Sequence, residues 1–109
     1  MPEFVLRYKR GCAAQADQIA LAVQAEAAKA FGMEVVFETK VLGKNSGLST
    51  FCVTGWVTDN EDKLQQKVVF AQAEILATMQ KLAYQDQSVE CWWQRVKGKW
   101  GGAEGLLTR

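Results

Sequence analysis

The longest helical pattern in the chain covers residues 59–85, which contain neither glycine nor proline. Apolar side chains recur there every three or four residues, as in an amphipathic α-helix, and they are Leu64, Val68, Ala71, Ile75, Met79 and Leu82. A helix of this length spans about 39 Å at 1.5 Å per residue. The rest of the chain must therefore supply an extended apolar surface that this stripe can cover.

A strand and a second helix are predicted upstream of this long helix. Residues 3–10 alternate apolar and polar side chains, which is typical of a half-buried strand. Residues 13–31 form an alanine-rich helical pattern, and Gly32 follows as a suitable left-handed cap. The first 32 residues thus predict a strand followed by a helix.

Three more strands complete the predicted order of elements. Residues 33–42 and 48–58 are rich in β-branched and aromatic side chains, and the turn-like residues 43–47 between them predict a hairpin. Residues 88–96 predict a last strand after the long helix. The predicted order is therefore β-α-β-β-α-β.

This order is that of ferredoxin-like folds. It predicts an α+β domain with a four-stranded antiparallel sheet, strands one and three in the centre and both helices on one face. The 109 residues are one domain's length, so we expect a single domain over residues 1–97 and a flexible glycine-rich tail over residues 98–109. Because the fold hosts enzymes, binding modules and structural subunits, it leaves the function open.

The composition argues against several chemistries. The chain has no histidine, so neither a Ser-His-Asp nor a Cys-His catalytic centre can form within it. Cys12, Cys52 and Cys91 are widely spaced, which predicts free thiols and neither a metal nor another cofactor. The first ten residues lack a signal-peptide pattern and no segment is apolar enough to span a membrane, so we expect a cytoplasmic protein without a membrane partner.

The sheet face that the helices leave uncovered gives the strongest functional signal. Alternation puts Arg7 and Lys9 outward on strand one and Trp56 outward on strand three. Since adjacent residues of a strand point to opposite faces, one of Trp92 and Trp93 joins them. The candidate binding residues combine aromatic and basic side chains and are Arg7, Lys9, Trp56, Trp92, Trp93, Arg95 and Lys97.

The long helix carries further apolar residues opposite its main stripe. Phe70, Ala77 and Tyr84 are spaced seven residues apart, which is typical of paired helices. They are candidates for an interface with another subunit. The open alternative is that they pack against the first helix or the tail.

Three functions fit these surfaces. The first is a small binding or interaction protein that forms a homodimer through the open sheet face or the long helix, because a tryptophan-containing face is costly to leave in water. The alternative is a single-stranded nucleic-acid-binding module, in which aromatic side chains stack on bases beside cations, although the net charge is only +1. The second alternative is a metal-independent small-molecule pocket or enzyme formed at a dimer interface. The sequence pattern assigns no residue a catalytic role.

Overall fold

The computed structural model describes residues 3–43, 47–57, 62–97 and 102–107. These residues form two helices and five strands. The elements in chain order are β1 (Glu3–Tyr8), α1 (Ala13–Phe31), β2 (Val36–Val41), β3 (Phe51–Val57), α2 (Asp62–Leu82), β4 (Val89–Lys97) and β5 (Gly102–Leu107).

The sheet is mixed, and its strands lie in the order β2-β1-β3-β4-β5. β2 runs parallel to β1 and β4 runs parallel to β3, and the two pairs meet where β1 and β3 run antiparallel. The predicted central position of strands one and three is confirmed. The predicted fully antiparallel sheet is wrong, because each helix returns the chain to a strand that is parallel and adjacent to the one before it.

The predicted hairpin between strands two and three is also wrong. β1 separates β2 from β3, so residues 42–50 lead from one side of β1 to the other. The amide of Leu42 donates to the carbonyl oxygen of Tyr8 at 2.7 Å, and the amide of Lys9 donates to that of Thr50 at 3.0 Å. Both ends of this connection are thereby fixed to the end of β1. The strands are also shorter than predicted, with 6 residues in β2 and 7 in β3.

Both predicted helices are present, and they pack on one face of the sheet. α1 has the predicted bounds and ends at Gly32, whose φ of 68° is left-handed and whose amide donates to the carbonyl oxygen of Ala28 at 2.8 Å. α2 ends at Leu82. Its predicted stripe is buried where side chains are described, except that Leu82 is partly exposed.

The core lies between the two helices and the covered face of the sheet. Every second residue of the central strands points into it, as a half-buried sheet requires. The buried core side chains of the strands are Phe4, Leu6, Phe51, Val53, Cys91 and Trp93, and those of the helices include Ile19, Val23, Phe31, Val68, Ile75 and Met79.

Gly55 of β3 makes room for the aromatic part of this core. The ring of Trp93 stacks on Phe31 with centroids 5.5 Å apart and meets Phe4 edge-on at 5.1 Å. A Cβ atom on Gly55 would lie 2.5 Å from Cζ3 of Trp93 and 2.9 Å from Cε1 of Phe4. A side chain at this position is therefore incompatible with the observed ring positions.

Part of the glycine-rich tail forms a strand. β5 pairs antiparallel with β4, with Leu107 opposite Trp93 and Ala103 opposite Val96, and the register shifts between Gln94 and Val96. This strand was not among the elements that the sequence pattern predicts, since residues 102–107 contain two glycines and lack a strand-like alternation.

Candidate functional site

The sheet face opposite the helices carries three rows of side chains. Residues that pair across neighbouring strands point to the same face, so the register defines each row. One row contains Glu3 and Trp56, the next contains Val5, Thr54 and Trp92, and the third contains Arg7, Cys52 and Glu90. We call this surface the open face. It is the face that the sequence predicts for Arg7 and Trp56.

The third row places a cation, a thiol and a carboxylate on three adjacent strands. Nη1 of Arg7 donates to Oγ1 of Thr54 at 3.4 Å, and the amide of Ser49 donates to Oε1 of Glu90 at 3.0 Å. Cys52 lies between Arg7 and Glu90 in the register and is buried, with 1% of its surface exposed. The polar groups of this row therefore surround a thiol that has little access to solvent.

The surroundings of Cys52 disfavour its thiolate. Burial raises the pKa of Cys52 to about 11, and the carboxylate of Glu90 adds to this effect. The hydrogen bond with Thr54 and the charge of Arg7 act in the opposite direction but are weaker. Since the thiolate is the reactive form of cysteine, Cys52 is a poor nucleophile at neutral pH. The pKa of Cys91, on the covered face, rises to about 12, mainly through burial.

The structure distinguishes the two adjacent tryptophans. Trp92 is half-buried on the open face, whereas Trp93 belongs to the core, with 1% of its surface exposed. Trp93 is therefore not part of the open face. Within the described residues, the buried indole nitrogen of Trp92 has no hydrogen-bond acceptor, and the same is true of Trp93.

The structure describes the side chains of only some of the other candidate binding residues. Lys9 is exposed just beyond the end of β1, and Trp56 is half-buried in β3. Arg95 and Lys97 lie in β4, but their side chains are outside the described part of the structure. The structure thus brings Arg7, Trp56 and Trp92 to one face.

The candidate interface residues of the long helix are on its surface. Phe70 is 54% exposed and Tyr84, just after the end of α2, is 65% exposed. Ala77 is exposed as well, and so is the neighbouring Val69. In the described residues, neither α1 nor β5 buries these side chains.

A shallow cleft lies between α1 and β2 and was not predicted. Its volume is about 360 Å³, and its lining combines carboxylates with apolar side chains: Asp17, Ala20, Leu21, Gln24, Phe37, Glu38 and Thr39. The sequence gives little signal for it, because it depends on β2 being an edge strand beside α1. Its polar groups are too few and too widely open to solvent to define a ligand.

Neither described helix combines the length and the hydropathy that a membrane crossing needs. Among the described residues, no three side chains of the metal-ligating types are grouped closely enough to hold an ion.

Solved structures share this fold at low sequence identity. A protein named Ps01740 superimposes with a TM-score of 0.63 at 12% identity, over 92% of this chain and 98% of its own. A malonate semialdehyde decarboxylase gives a TM-score of 0.54 at 16% identity, over 90% of this chain and 84% of its own. A domain of unknown function, DUF1904, from Sebaldella termitidis gives a TM-score of 0.57 at 11% identity, over 95% of this chain and 100% of its own.

These likenesses establish a common fold and leave the activity of this chain open. No protein-family model matches the chain, and no curated protein matches it.

Proposed function

We propose that this protein is an enzyme that moves protons in small oxo acids, with the amine of Pro2 as the proton carrier. The observation that carries this proposal is that Pro2 directly precedes β1 in a chain that shares its fold with a malonate semialdehyde decarboxylase. Aminopeptidases remove an initiator methionine that precedes a small residue such as proline. The proposal requires that Met1 is the initiator methionine and is removed; Pro2 then carries a free secondary amine, and α-amino groups titrate close to neutral pH.

A protein of the same fold supports this assignment. The malonate semialdehyde decarboxylase, for which decarboxylase and hydratase activities are described, was also crystallised with alanine in place of the proline at its position one. Its chain superimposes on 90% of this one. The proposal takes Pro2 as the counterpart of that proline, which requires that Met1 is removed. In a chain without histidine, this amine is also a base that can act near neutral pH.

The residues beside the chain start suit a proton-transfer site. Pro2 itself lies outside the described residues, but Glu3, which follows it, pairs with Val36 on one side and with Trp56 on the other. Val36 is 45% exposed and Trp56 is half-buried. Apolar side chains near an amine favour its neutral form, which is the form that accepts a proton.

The proposed step conserves atoms and charge. The neutral amine takes a proton from the carbon next to the substrate carbonyl, and the electron pair of the broken C–H bond forms the enolate. The protonated amine then returns the proton to another carbon or oxygen atom, which completes a keto-enol tautomerisation. In a 3-oxo acid the amine acts in its protonated form instead: the C–C bond to the carboxylate breaks, its electron pair forms the enolate, carbon dioxide leaves, and the ammonium group gives its proton to the remaining carbon and regains one from water.

The test compares chains that differ only in whether this amine is free. Intact mass first establishes that Met1 is absent. The enol-keto conversion of phenylpyruvate and the release of carbon dioxide from malonate semialdehyde are then measured for the native chain and for one with Gly-Ser added before Pro2. The matched control carries Gly-Ser after Arg109.

We expect the N-terminal addition to abolish activity and the C-terminal addition to preserve it. Pro2→Ala keeps a free α-amino group as a primary amine, so its kcat/KM should lie between that of the native chain and that of the N-terminally extended chain, which loses the about 10²- to 10⁴-fold that a general base usually contributes. The proposal fails if the native chain retains Met1, if neither probe reacts, or if the N-terminally extended chain is as active as the control.

Binding at the open face is the second candidate function. Arg7, Trp56 and Trp92 share this face, and no helix covers it in the described residues. Nucleic-acid binding there predicts that a fluorescent single-stranded oligonucleotide gains anisotropy at low salt and loses it at high salt. Self-association at this face predicts instead a complex of two chains with no oligonucleotide bound.

A further inference from the structure

On the β1–β2 half of the open face, an acidic residue precedes a basic residue along each strand. On β2, Glu38 precedes Lys40 on the same face, and both side chains are 56% exposed. On the line of β1, the exposed Glu3 precedes the exposed Lys9. We call these four residues the charged strip. Because β1 and β2 are parallel, the acidic residues of both lines lie toward one end and the basic residues toward the other.

Such a strip is complementary to itself when one copy is reversed. A two-fold axis that crosses the strands between the Glu38 row and the Lys40 row places Glu38 of each copy opposite Lys40 of the other. The same operation places Glu3 opposite Lys9, since these residues lie equally far from the axis. Packed sheets are about 10 Å apart, a gap that a glutamate and a lysine side chain bridge together.

Other superpositions bring like charges together. An axis that runs along the strands between β1 and β2 places Lys40 against Arg7 of the second copy, because these two residues pair in the register. An axis through the Glu38 row places Glu38 against itself. Like charges held opposite each other at an interface cost several kcal/mol, so the reversed arrangement between the rows is favoured.

We propose that the charged strip binds a second copy of this chain in the reversed orientation, with reciprocal Glu38 to Lys40 pairs at its centre. Val36 lies on the same face beside Glu3 and is 45% exposed, so the contact also covers apolar surface. The intramolecular ion pair of Lys40 Nζ with Glu38 Oε1 is long, at 3.8 Å, and exposed. It is therefore exchanged for intermolecular pairs at little cost. This inference does not depend on Pro2 chemistry.

The test uses charge reversal in the full-length chain. E38K places two lysines on β2 and K40E places two glutamates there, so in each variant the central residues of two copies repel each other. Mixed one to one, however, the two variants restore both intermolecular pairs. The double variant E38K/K40E restores them within a homodimer. Light scattering after size exclusion and sedimentation equilibrium measure the mass and the dimer dissociation constant.

Two controls separate the interface from general effects. K29E on α1 and D86K in the turn after α2 change exposed charges away from the open face by the same amounts. Circular dichroism and thermal melting establish that every variant is folded. A folded E38K or K40E that fails to dimerise then reports on the interface alone.

We expect the native chain and both controls to have the mass of two chains. Each single reversal should weaken the dimer at least about tenfold, and the mixture and the double variant should recover native affinity within about tenfold. A native mass of one or three chains overturns the proposal. So do single variants that dimerise like the controls, or a mixture that stays monomeric. None of these outcomes bears on the activity of the N-terminally extended chain.

Discussion

Replacement of Gly55 by alanine tests how tightly the aromatic core is packed. The new Cβ atom would lie 2.5 Å from Cζ3 and 2.6 Å from Cε3 of Trp93, and 2.9 Å from Phe4. Since carbon atoms pack at about 3.5–4.0 Å, the rings must move by about 1 Å. Trp93 has little freedom to do so, because it is held between Phe4 and Phe31.

The size of the effect follows from two opposing contributions. Overpacking a filled core costs about 1–3 kcal/mol. Replacing glycine by alanine also restricts the unfolded chain, which increases the free energy of unfolding by about 0.4–1 kcal/mol. The midpoints of the two ranges give a net loss of about 1.3 kcal/mol in the free energy of unfolding, which lowers Tm by about 5–10 °C in a domain of this size.

Urea denaturation and thermal melting of Gly55→Ala measure this loss, and Gly43→Ala is the matched control. Among the described residues other than its chain neighbours, no atom would lie within 4 Å of a Cβ atom on Gly43, and the φ of this residue is not left-handed, so its replacement should be neutral or slightly stabilising. Adding Trp93→Phe to Gly55→Ala shrinks the obstructing ring, and the double-mutant cycle should give a favourable coupling of about 1 kcal/mol. The reasoning is refuted if Gly55→Ala unfolds at the same urea concentration as Gly43→Ala.

Two further predictions concern the cysteines. In the native protein at pH 8, Cys12 should react with iodoacetamide much faster than Cys52 and Cys91. Burial covers these two thiols, and their raised pKa values keep them protonated. Rapid labelling of Cys52 in the native protein, measured by peptide mass spectrometry, would contradict this prediction. Above about pH 9 the unfolded chain releases the protons of both buried thiols, whereas the folded protein keeps them. The free energy of unfolding should therefore fall as the pH rises from 9 toward 11. For Cys91 the fall is up to about 1.4 kcal/mol per pH unit. Urea titrations at pH 8 and pH 10.5 measure this fall, and a Cys91→Ala variant with the same pH dependence as the native chain would disprove the contribution of this thiol.

The parts of the fold that depend on local periodicity are predictable from the sequence. The spacing of alanines and aliphatic residues predicts α1 to the residue, and Gly32 marks its end. Strict alternation predicts which side of β1 and β3 faces the helices, and hence that Arg7 and Trp56 share the open face. Local patterns succeed here because each residue's burial depends on its own element.

Features that depend on neighbouring strands are not predictable in this way. The row of Arg7, Cys52 and Glu90 exists because β4 pairs with β3, whereas a ferredoxin-like sheet would place the last strand beside β1. The choice between Trp92 and Trp93 depends on the same pairing. Because side chains alternate along a strand, the two tryptophans point to opposite faces, but only the register of β4 determines which of them lies on the open face.

For the first four strands, the predicted and observed sheets differ by a single exchange of the two strands that flank the central pair. Both have β1 and β3 as an antiparallel central pair, and both have the same direction for every one of the first four strands. They differ only in whether β2 lies beside β3 and β4 beside β1, or the reverse. Strand order along the chain, strand direction and face alternation are identical in the two arrangements, so none of them can distinguish between the two.

The side chains that distinguish the two arrangements are those that reach across strands. With β4 beside β3, the Trp93 ring lies over Gly55, which offers no side chain to oppose it, and it completes a cluster with Phe4 and Phe31. With β2 beside β1, the Phe37 ring stacks on Phe4 at 6.1 Å. A glycine inside an otherwise apolar strand is costly unless a neighbour needs its space. In the observed arrangement, Gly55 leaves space for a large side chain on the adjacent strand, and β4 supplies that side chain in Trp93.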